Sequence, residues 1–310
     1  MEMMKAKPLK AGDVVGLIAP SSPVEEARVA QAKAALESFG LQVLVGETCY
    51  AKYGYLSGTD ELRSSELNQM FSNSALAGII CLRGGYGIPR ILDRIDYEMI
   101  RNNPKVFVGF SDITALHTAI QQQTGLITFH GPMANSMIDN FSEYSRKSWE
   151  QVLFGKQEKG LLANPTGEIL EGWRAGRAKG RLCGGNLSLI ADTMGTPYEL
   201  DTAGKILFIE EIGEAPYQID RMLTELRLAG KLSEAAGIIL GDFADCTPTK
   251  AGESLTLEEV FFDLLPYDKP ILRNLRAGHC DPHMTLPMGA LYEIDGEQGI
   301  LALLEEPLQR

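Results

Sequence analysis

The sequence predicts an α/β protein of two domains, the first built on a parallel sheet. Three observations carry this expectation. Short apolar runs alternate with segments whose apolar residues recur at helical spacing, the pattern of strand–helix–strand units. Several of the runs end in loops rich in Gly, Ser or Pro, where open parallel sheets bind ligands. The 310 residues, 45% of them hydrophobic, are enough for a large core in two domains.

The elements follow in order. Val14–Ala19 is a first strand ending in Pro20-Ser21-Ser22-Pro23. Val24–Phe39 carries Val29, Ala32, Ala35, Leu36 and Phe39 on one helical face, and Gly40 ends it. Leu41–Val45 is a second strand, Gly54–Asp60 a loop, and Glu61–Phe71 a helix facing inward through Leu62, Leu67, Met70 and Phe71. Ala77–Leu82 is the next strand, and Arg83-Gly84-Gly85-Tyr86-Gly87 follows it. Ile88–Ile95 starts another helix and Tyr97–Asn102 a short one. Val106–Val108 is a buried strand, Gly109 gives a tight exit, and helical phase runs on from Ile113 through Leu116, Ala119 and Ile120. Ile127–His130 is a further strand.

The stretch Gly155–Gly180 is less periodic and reads as a connection that becomes the first strand or strands of a second domain. Arg181–Ile190 contains a Gly184-Gly185 turn before Asn186. Ile206–Ile209 is a strong strand ending in Glu210-Glu211, and Ile219–Ala229 has helical phase. Ala236–Leu240 is a strand, Leu257–Leu264 a helix, and Gly289–Ile294 with Ile300–Leu304 a closing hairpin. The domains are expected at 1–155 and 181–310, with 156–180 as the linker.

The formal charge of −12, with no long Lys/Arg run, disfavours a nucleic-acid partner but not a small anionic substrate held by an arginine or two. Five widely spaced cysteines indicate neither a disulfide framework nor a structural zinc site. No segment resembles a signal peptide or a membrane span, so a cytoplasmic setting is expected.

Three polar residues stand at element ends. Ser111 lies where a strand turns sharply into a helix, a turn that exposes a hydroxyl and aims backbone N–H groups at whatever the hydroxyl attacks. The second glycine of the G-x-S-x-G elbow is replaced by Ile113, so the local pattern alone is weak and is described better by Ser111 or Asp112 simply capping the helix. Glu210 ends a strand, and His279 sits in the loop Arg276-Ala277-Gly278-His279. Histidine suits removal of a serine proton, and a carboxylate can orient it. His117, His130 and His283 are the other histidines, His283 competes with His279 as base, and Glu210 could instead pair structurally with Arg221. The Gly84-Gly85 loop suits an oxyanion, a phosphate or simply a tight turn. No H-E-x-x-H or similar metal cluster is present.

Taken together, several separated motifs resemble the serine LD-carboxypeptidases of peptidoglycan recycling, a family that also holds the microcin C immunity peptidases. They are VVGLIAPSSPV at 14–24, LRGGYGIPRIL at 82–92, VGFSDITALH at 108–117, HGPM at 130–133, GGNLSLI at 184–190, LFIEEIGEAPYQIDRML at 207–223 and GHCDPHMTLPMG at 278–289. The resemblance implies a Rossmann-like, class I glutamine amidotransferase-like first domain and a smaller β-rich second one. It implies Ser111 as nucleophile, Glu210 as acid and His279 as base, with Glu211 where relatives often carry aspartate. An oxyanion hole from the Asp112, Gly84 and Gly85 amides, no metal or organic cofactor, and a homodimer are also implied. The implied substrate is a muropeptide tetrapeptide, cut between meso-diaminopimelate and terminal D-alanine. Arg83 and Arg174 are candidates for the terminal carboxylate; Tyr86, Trp173 and Asn186 are candidates for the substrate groove. The rivals are an adenylate-cleaving immunity peptidase, a non-enzymatic binding protein, and an amidotransferase-like domain with Cys81 as nucleophile.

Overall fold

Short runs with almost no polar residues set the first sheet. The computed structural model describes residues 3–139, 141–248 and 252–309. Strands β1 (Val14–Ile18), β2 (Gln42–Val45), β3 (Leu76–Cys81), β4 (Val106–Gly109) and β5 (Thr128–His130) run parallel in the order β5-β4-β3-β1-β2. β4 and β5 are buried throughout, whereas β2, at the sheet edge, alternates exposed and half-buried residues. Helices α1 (Glu26–Glu37), α2 (Asp60–Ser72), α3 (Tyr97–Asn102) and α4 (Thr114–Thr124) lie between successive strands. Thr59 caps α2 by accepting the Leu62 amide, and Gly125 at φ 82° ends α4. The sequence reading did not mark α5 (Glu143–Leu153), which buries Trp149, Val152 and Leu153. Ile88–Ile95 forms two 3₁₀ turns rather than one helix, with Pro89 removing a backbone donor near its start.

The second sheet is larger and mixed. It takes β6 (Gly160–Leu162), β7 (Glu171–Arg174), β8 (Arg177–Asn186), β9 (Ile206–Ile212), β10 (Gly237–Ala244) and β11 (Ile271–Arg273). The next strand, β12 (Leu286–Met288), instead pairs antiparallel with β5 of the first sheet. β13 (Leu291–Asp295) and β14 (Ile300–Leu303) complete the second, whose order is β6-β14-β13-β8-β9-β10-β11-β7. β8 to β11 are parallel and the remaining pairs antiparallel. Leu207, Ile209 and Ile238 of these strands share a core with helices α6 (Leu187–Asp192), α7 (Pro216–Leu228), α8 (Lys231–Glu234) and α9 (Leu257–Leu264).

The chain therefore divides into two compact units: Met1–Glu158 with Asp281–Gly289 and Glu306–Arg310, and Lys159–Cys280 with Ala290–Glu305. Two expectations need correction. The 156–180 stretch, read as a linker that becomes the first strands of the second domain, does supply β6, β7 and the start of β8, but from Lys159 on it belongs to the second unit itself. The second unit is not the continuous run 181–310, because 281–289 belongs to the first; a three-residue strand containing Pro287 leaves little periodic trace in sequence. Gly184-Gly185 is likewise no turn but the end of β8, where a Cβ on Gly184 would strike the Phe208 carbonyl of β9. Among the described residues no helix is long and apolar enough to cross a membrane.

Candidate active site

In the first unit, Ser111 follows β4 at φ 64°, a left-handed conformation uncommon outside glycine. It opens a single 3₁₀ turn (Ser111–Ile113) that runs into α4, the sharp strand-to-helix exit expected from the sequence. Asp112 beside it is fully buried, and its Oδ2 accepts the Ile88 amide at 3.0 Å. Burial is the main influence on this carboxyl and pushes its pKa up.

Gly84 lies flush against the serine: a Cβ there would come 2.8 Å from Ser111 Cβ and 3.0 Å from its Oγ. Gly85 and Gly87 follow at φ 120° and 133°. Among the described residues the amides of Gly84 and Gly85 have no hydrogen-bond partner. A glycine loop of this kind lets backbone amides reach a reacting centre that any side chain would block.

The neighbouring side chains sort themselves by partner. Arg83 is exposed and donates to the Pro23 carbonyl at 3.3 Å, in a cavity of about 350 Å³ shared with Arg28, Lys52 and Asn135. Tyr86 is 45% exposed, its ring set edge-on to Tyr55. His117 does not face solvent. It is buried, bonded to Thr128 Oγ1 and the Gly109 carbonyl, and burial pushes its pKa down to about 4. His130 and His283 are buried against each other and against Phe110. Cys81 is fully buried and its thiol pushed well above the ordinary range, which makes it a poor nucleophile.

In the second unit, β9 presents two successive carboxylates, and successive residues of a strand point to opposite faces. Glu210 is completely buried, and its Oε2 accepts from His279 Nδ1 at 2.8 Å. Gly278, at φ 126°, brings the histidine loop onto this carboxylate: a Cβ there would lie 2.8 Å from Glu210 Oε2. Burial alone would lower the His279 pKa. The bond and charge of Glu210, with Glu211 and Asp242 behind it, outweigh burial and hold the imidazole above its ordinary 6.5. Burial likewise raises Glu210, against the pull of His279. Glu211 is spent differently: it accepts from Asn186 Nδ2 at 2.8 Å, the Ser188 amide at 2.7 Å and the Ile212 amide at 2.9 Å, which ties down the start of α6.

One candidate for the terminal carboxylate, Arg174, and one for the groove, Asn186, make bonds elsewhere. Arg174 donates to the carbonyls of Leu265 (2.7 Å) and Phe262 (3.1 Å), and its guanidinium stacks 4.0 Å from the Tyr267 ring centre. Backbone carbonyls thus take two of the donors of this half-buried guanidinium, which tells against its reading a carboxylate. Asn186 is 3% exposed and caps α6 through the Leu189 amide while bonding Glu211. Trp173 does line an opening, a cavity of about 580 Å³ that also takes in Asp242, Phe243, Phe261, Arg273 and Arg276. Arg276 pairs there with Asp242 at 3.2 Å and with Glu168 at 2.8 Å. Sequence reading missed Asp242 and Arg276. Asp242 lies within β10, near its end, and Arg276 precedes His279 by three residues in the loop after β11; neither position carries a local signal of its partner. Among the described residues no three His, Cys, Asp or Glu side chains gather as metal ligands.

These features fit the comparisons with known proteins. Residues 15–131 match the LD-carboxypeptidase N-terminal domain and residues 179–294 the LD-carboxypeptidase C-terminal domain. A probable murein peptide carboxypeptidase of Bacillus subtilis is 46% identical over 92% of this chain and 90% of its own. Among solved structures, MccF in complex with glutamyl sulfamoyl guanosine superposes with a TM-score of 0.90 at 26% identity, over 98% of this chain and 99% of that one. The muramoyltetrapeptide carboxypeptidase of Oxalobacter formigenes gives a TM-score of 0.83 at 26% identity, over 95% and 99%. The chain belongs to the LD-carboxypeptidase family and is a serine carboxypeptidase.

Proposed function

We propose that this enzyme removes the terminal D-alanine from muropeptide tetrapeptides by cutting the L,D bond after meso-diaminopimelate, through a Ser111–His279–Glu210 acyl-enzyme mechanism. The observation that carries the assignment is the 2.8 Å bond from His279 Nδ1 to Glu210. It supports taking His279 as the base and Glu210, rather than its neighbour Glu211, as the acid. With Nδ1 donating to Glu210, Nε2 is the nitrogen that takes the Ser111 proton as Oγ attacks the scissile carbonyl. The Gly84, Gly85 and Asp112 amides stabilise the resulting oxyanion. His279 then gives its proton to the departing D-alanine amine, and water releases the tripeptide from Ser111. Arg83 is the arginine for the terminal carboxylate, since Arg174 is already bonded to backbone. Tyr86 and Trp173 are assigned to the rest of the substrate.

A cytoplasmic role in peptidoglycan recycling accords with five free cysteines, and a homodimer is the expected assembly, to be read by light scattering. The second reading, cleavage of a peptidyl- or aminoacyl-adenylate, draws on the match to MccF and the aromatic wall at Trp173.

Mass spectrometry of a purified tetrapeptide after incubation, beside an aminoacyl-sulfamoyl adenosine, separates the two. Loss of one alanine from the peptide is expected, and hydrolysis of the adenosine conjugate alone would replace the first reading by the second. Ser111→Ala, His279→Ala and Glu210→Ala should each lose activity while remaining folded. Glu211→Ala, per folded molecule, should lose far less; the reverse order would move the acidic role to Glu211.

A further inference from the structure

The Gly84–Gly87 loop adopts a backbone that glycine permits but does not enforce, so something else must fix it beside Ser111. Two side chains outside the proposed catalytic set meet it. The Asp112 carboxylate bonds the Ile88 amide at the loop's far end, at 3.0 Å, from within the Ser111 turn itself. Arg63, of α2, is 1% exposed, and its Nη1 donates to the carbonyls of Pro20 at 2.6 Å and Gly87 at 3.0 Å. Its Nη2 bonds Asp60 Oδ1 at 2.6 Å, and Asp60 also holds Arg90. The loop after β1 joins the same framework: Tyr86 N donates to Ser22 Oγ at 3.2 Å and Ser22 N to the Gly84 carbonyl at 3.4 Å.

A completely buried guanidinium is costly, and two of its bonds here go to carbonyls of the two loops rather than to acids. A helix-stability role would be served by the exposed Arg90–Asp60 pair alone. The Arg63 bonds instead join the loop after β1 to the glycine loop, while Asp112 joins the glycine loop to the serine turn.

We propose that Asp112, through its side chain, and Arg63 are positioning residues that set the Gly84 and Gly85 amides against Ser111 for stabilisation of the oxyanion. This rests on Ser111 being the nucleophile. The requirement on Asp112 is an acceptor for the Ile88 amide, not a charge, so asparagine can serve. Neither residue touches substrate, and the effect of removing either falls on kcat rather than KM.

The experiment uses the full chain and two readouts. One is steady-state hydrolysis of the tetrapeptide. The other is the rate at which a small fluorophosphonate labels Ser111, in which Oγ bonds phosphorus, fluoride leaves and the phosphoryl oxygen occupies the oxyanion position. Misplaced donors of this kind cost about 10²-fold. Asp112→Ala is therefore expected to lose roughly that in kcat and in labelling rate, with KM within about threefold. Asp112→Asn recovers most of the loss, and Arg63→Lys falls between wild type and Arg63→Met. Hydrogen exchange at the Ile88 amide should rise in Asp112→Ala and return toward wild type in Asp112→Asn. That measurement also serves if Asp112→Ala folds poorly, since Arg63→Met then carries the kinetic comparison.

Wild-type kcat and labelling in Asp112→Ala and Arg63→Met would overturn the positioning role. So would a loss confined to KM, or an Asp112→Asn as slow as Asp112→Ala. A wild-type enzyme that cuts the peptide while fluorophosphonate labels a residue other than Ser111 would overturn the nucleophile assignment, and the positioning role with it.

Discussion

Ser111 and His279 each carry a property that sequence alone could not supply. For Ser111 it is the left-handed backbone, φ 64°, on a residue with a side chain. Such a conformation costs about 1–2 kcal/mol relative to the right-handed region. Ser111→Gly and Ser111→Ala should both abolish turnover, but thermal denaturation should show the glycine variant more stable by about 1 kcal/mol. Equal stability would mean the turn is unstrained. For His279 it is the balance between burial, which lowers its pKa, and the Glu210 carboxylate, which raises it further. As the proposed base, His279 must be neutral to act, so kcat/KM should rise with pH along a limb centred above the ordinary 6.5. Glu210→Gln removes the main raising influence, leaving only Glu211 and Asp242 against burial, so the limb of its residual activity should move to lower pH. A limb that stays in place would detach Glu210 from the imidazole.

At the level of elements, strands placed the polar groups and helices were then held by them. β9 carries Glu210 and Glu211 on opposite faces, so one meets the histidine loop and the other the start of α6. β8 must pass close to β9 at Gly184, at φ 103°, with the Phe208 carbonyl where a Cβ would go. Gly184→Ala should destabilise the second unit by about 3 kcal/mol or more. Gly195→Ala is the control, because that glycine has a similar positive φ but open space around it, and should cost only about 1 kcal/mol. Chemical denaturation of the two variants makes the comparison, and equal losses would remove the close-approach account. The periodic elements were legible in the sequence: α9 is found at Leu257–Leu264 and α3 at Tyr97–Asn102, as expected. The misses were elements with little periodicity or glycines that read as punctuation, such as β12 and the Gly184-Gly185 pair.

For the molecule as a whole, the instructive feature is that the chain crosses from the first unit to the second and returns twice. β12 pairs with β5 through Leu286↔His130, Pro287↔Phe129 and Met288↔Thr128, so the first sheet ends on residues distant in sequence. A fragment ending at residue 158 lacks that strand and leaves β5 as an unpaired, wholly buried edge. It should be less stable than the full chain and prone to association, measured by circular dichroism melting and light scattering. A monomeric fragment melting with full cooperativity at the temperature of the intact protein would show β12 to be dispensable.

The sequence by itself determined the α/β class, the run of strands and helices in the first half, the separated motifs of an LD-carboxypeptidase, and the station of Ser111 at a strand-to-helix turn. These follow from local patterning, which a chain carries wherever it folds. Only the tertiary structure decided that Glu210 rather than Glu211 meets the histidine, that Arg174 and Asn186 are committed to backbone and helix, and that Arg63 lies buried among loop carbonyls. Each of those turns on which distant group fills a hydrogen-bonding site, and partners separated by tens of residues leave no mark in local sequence.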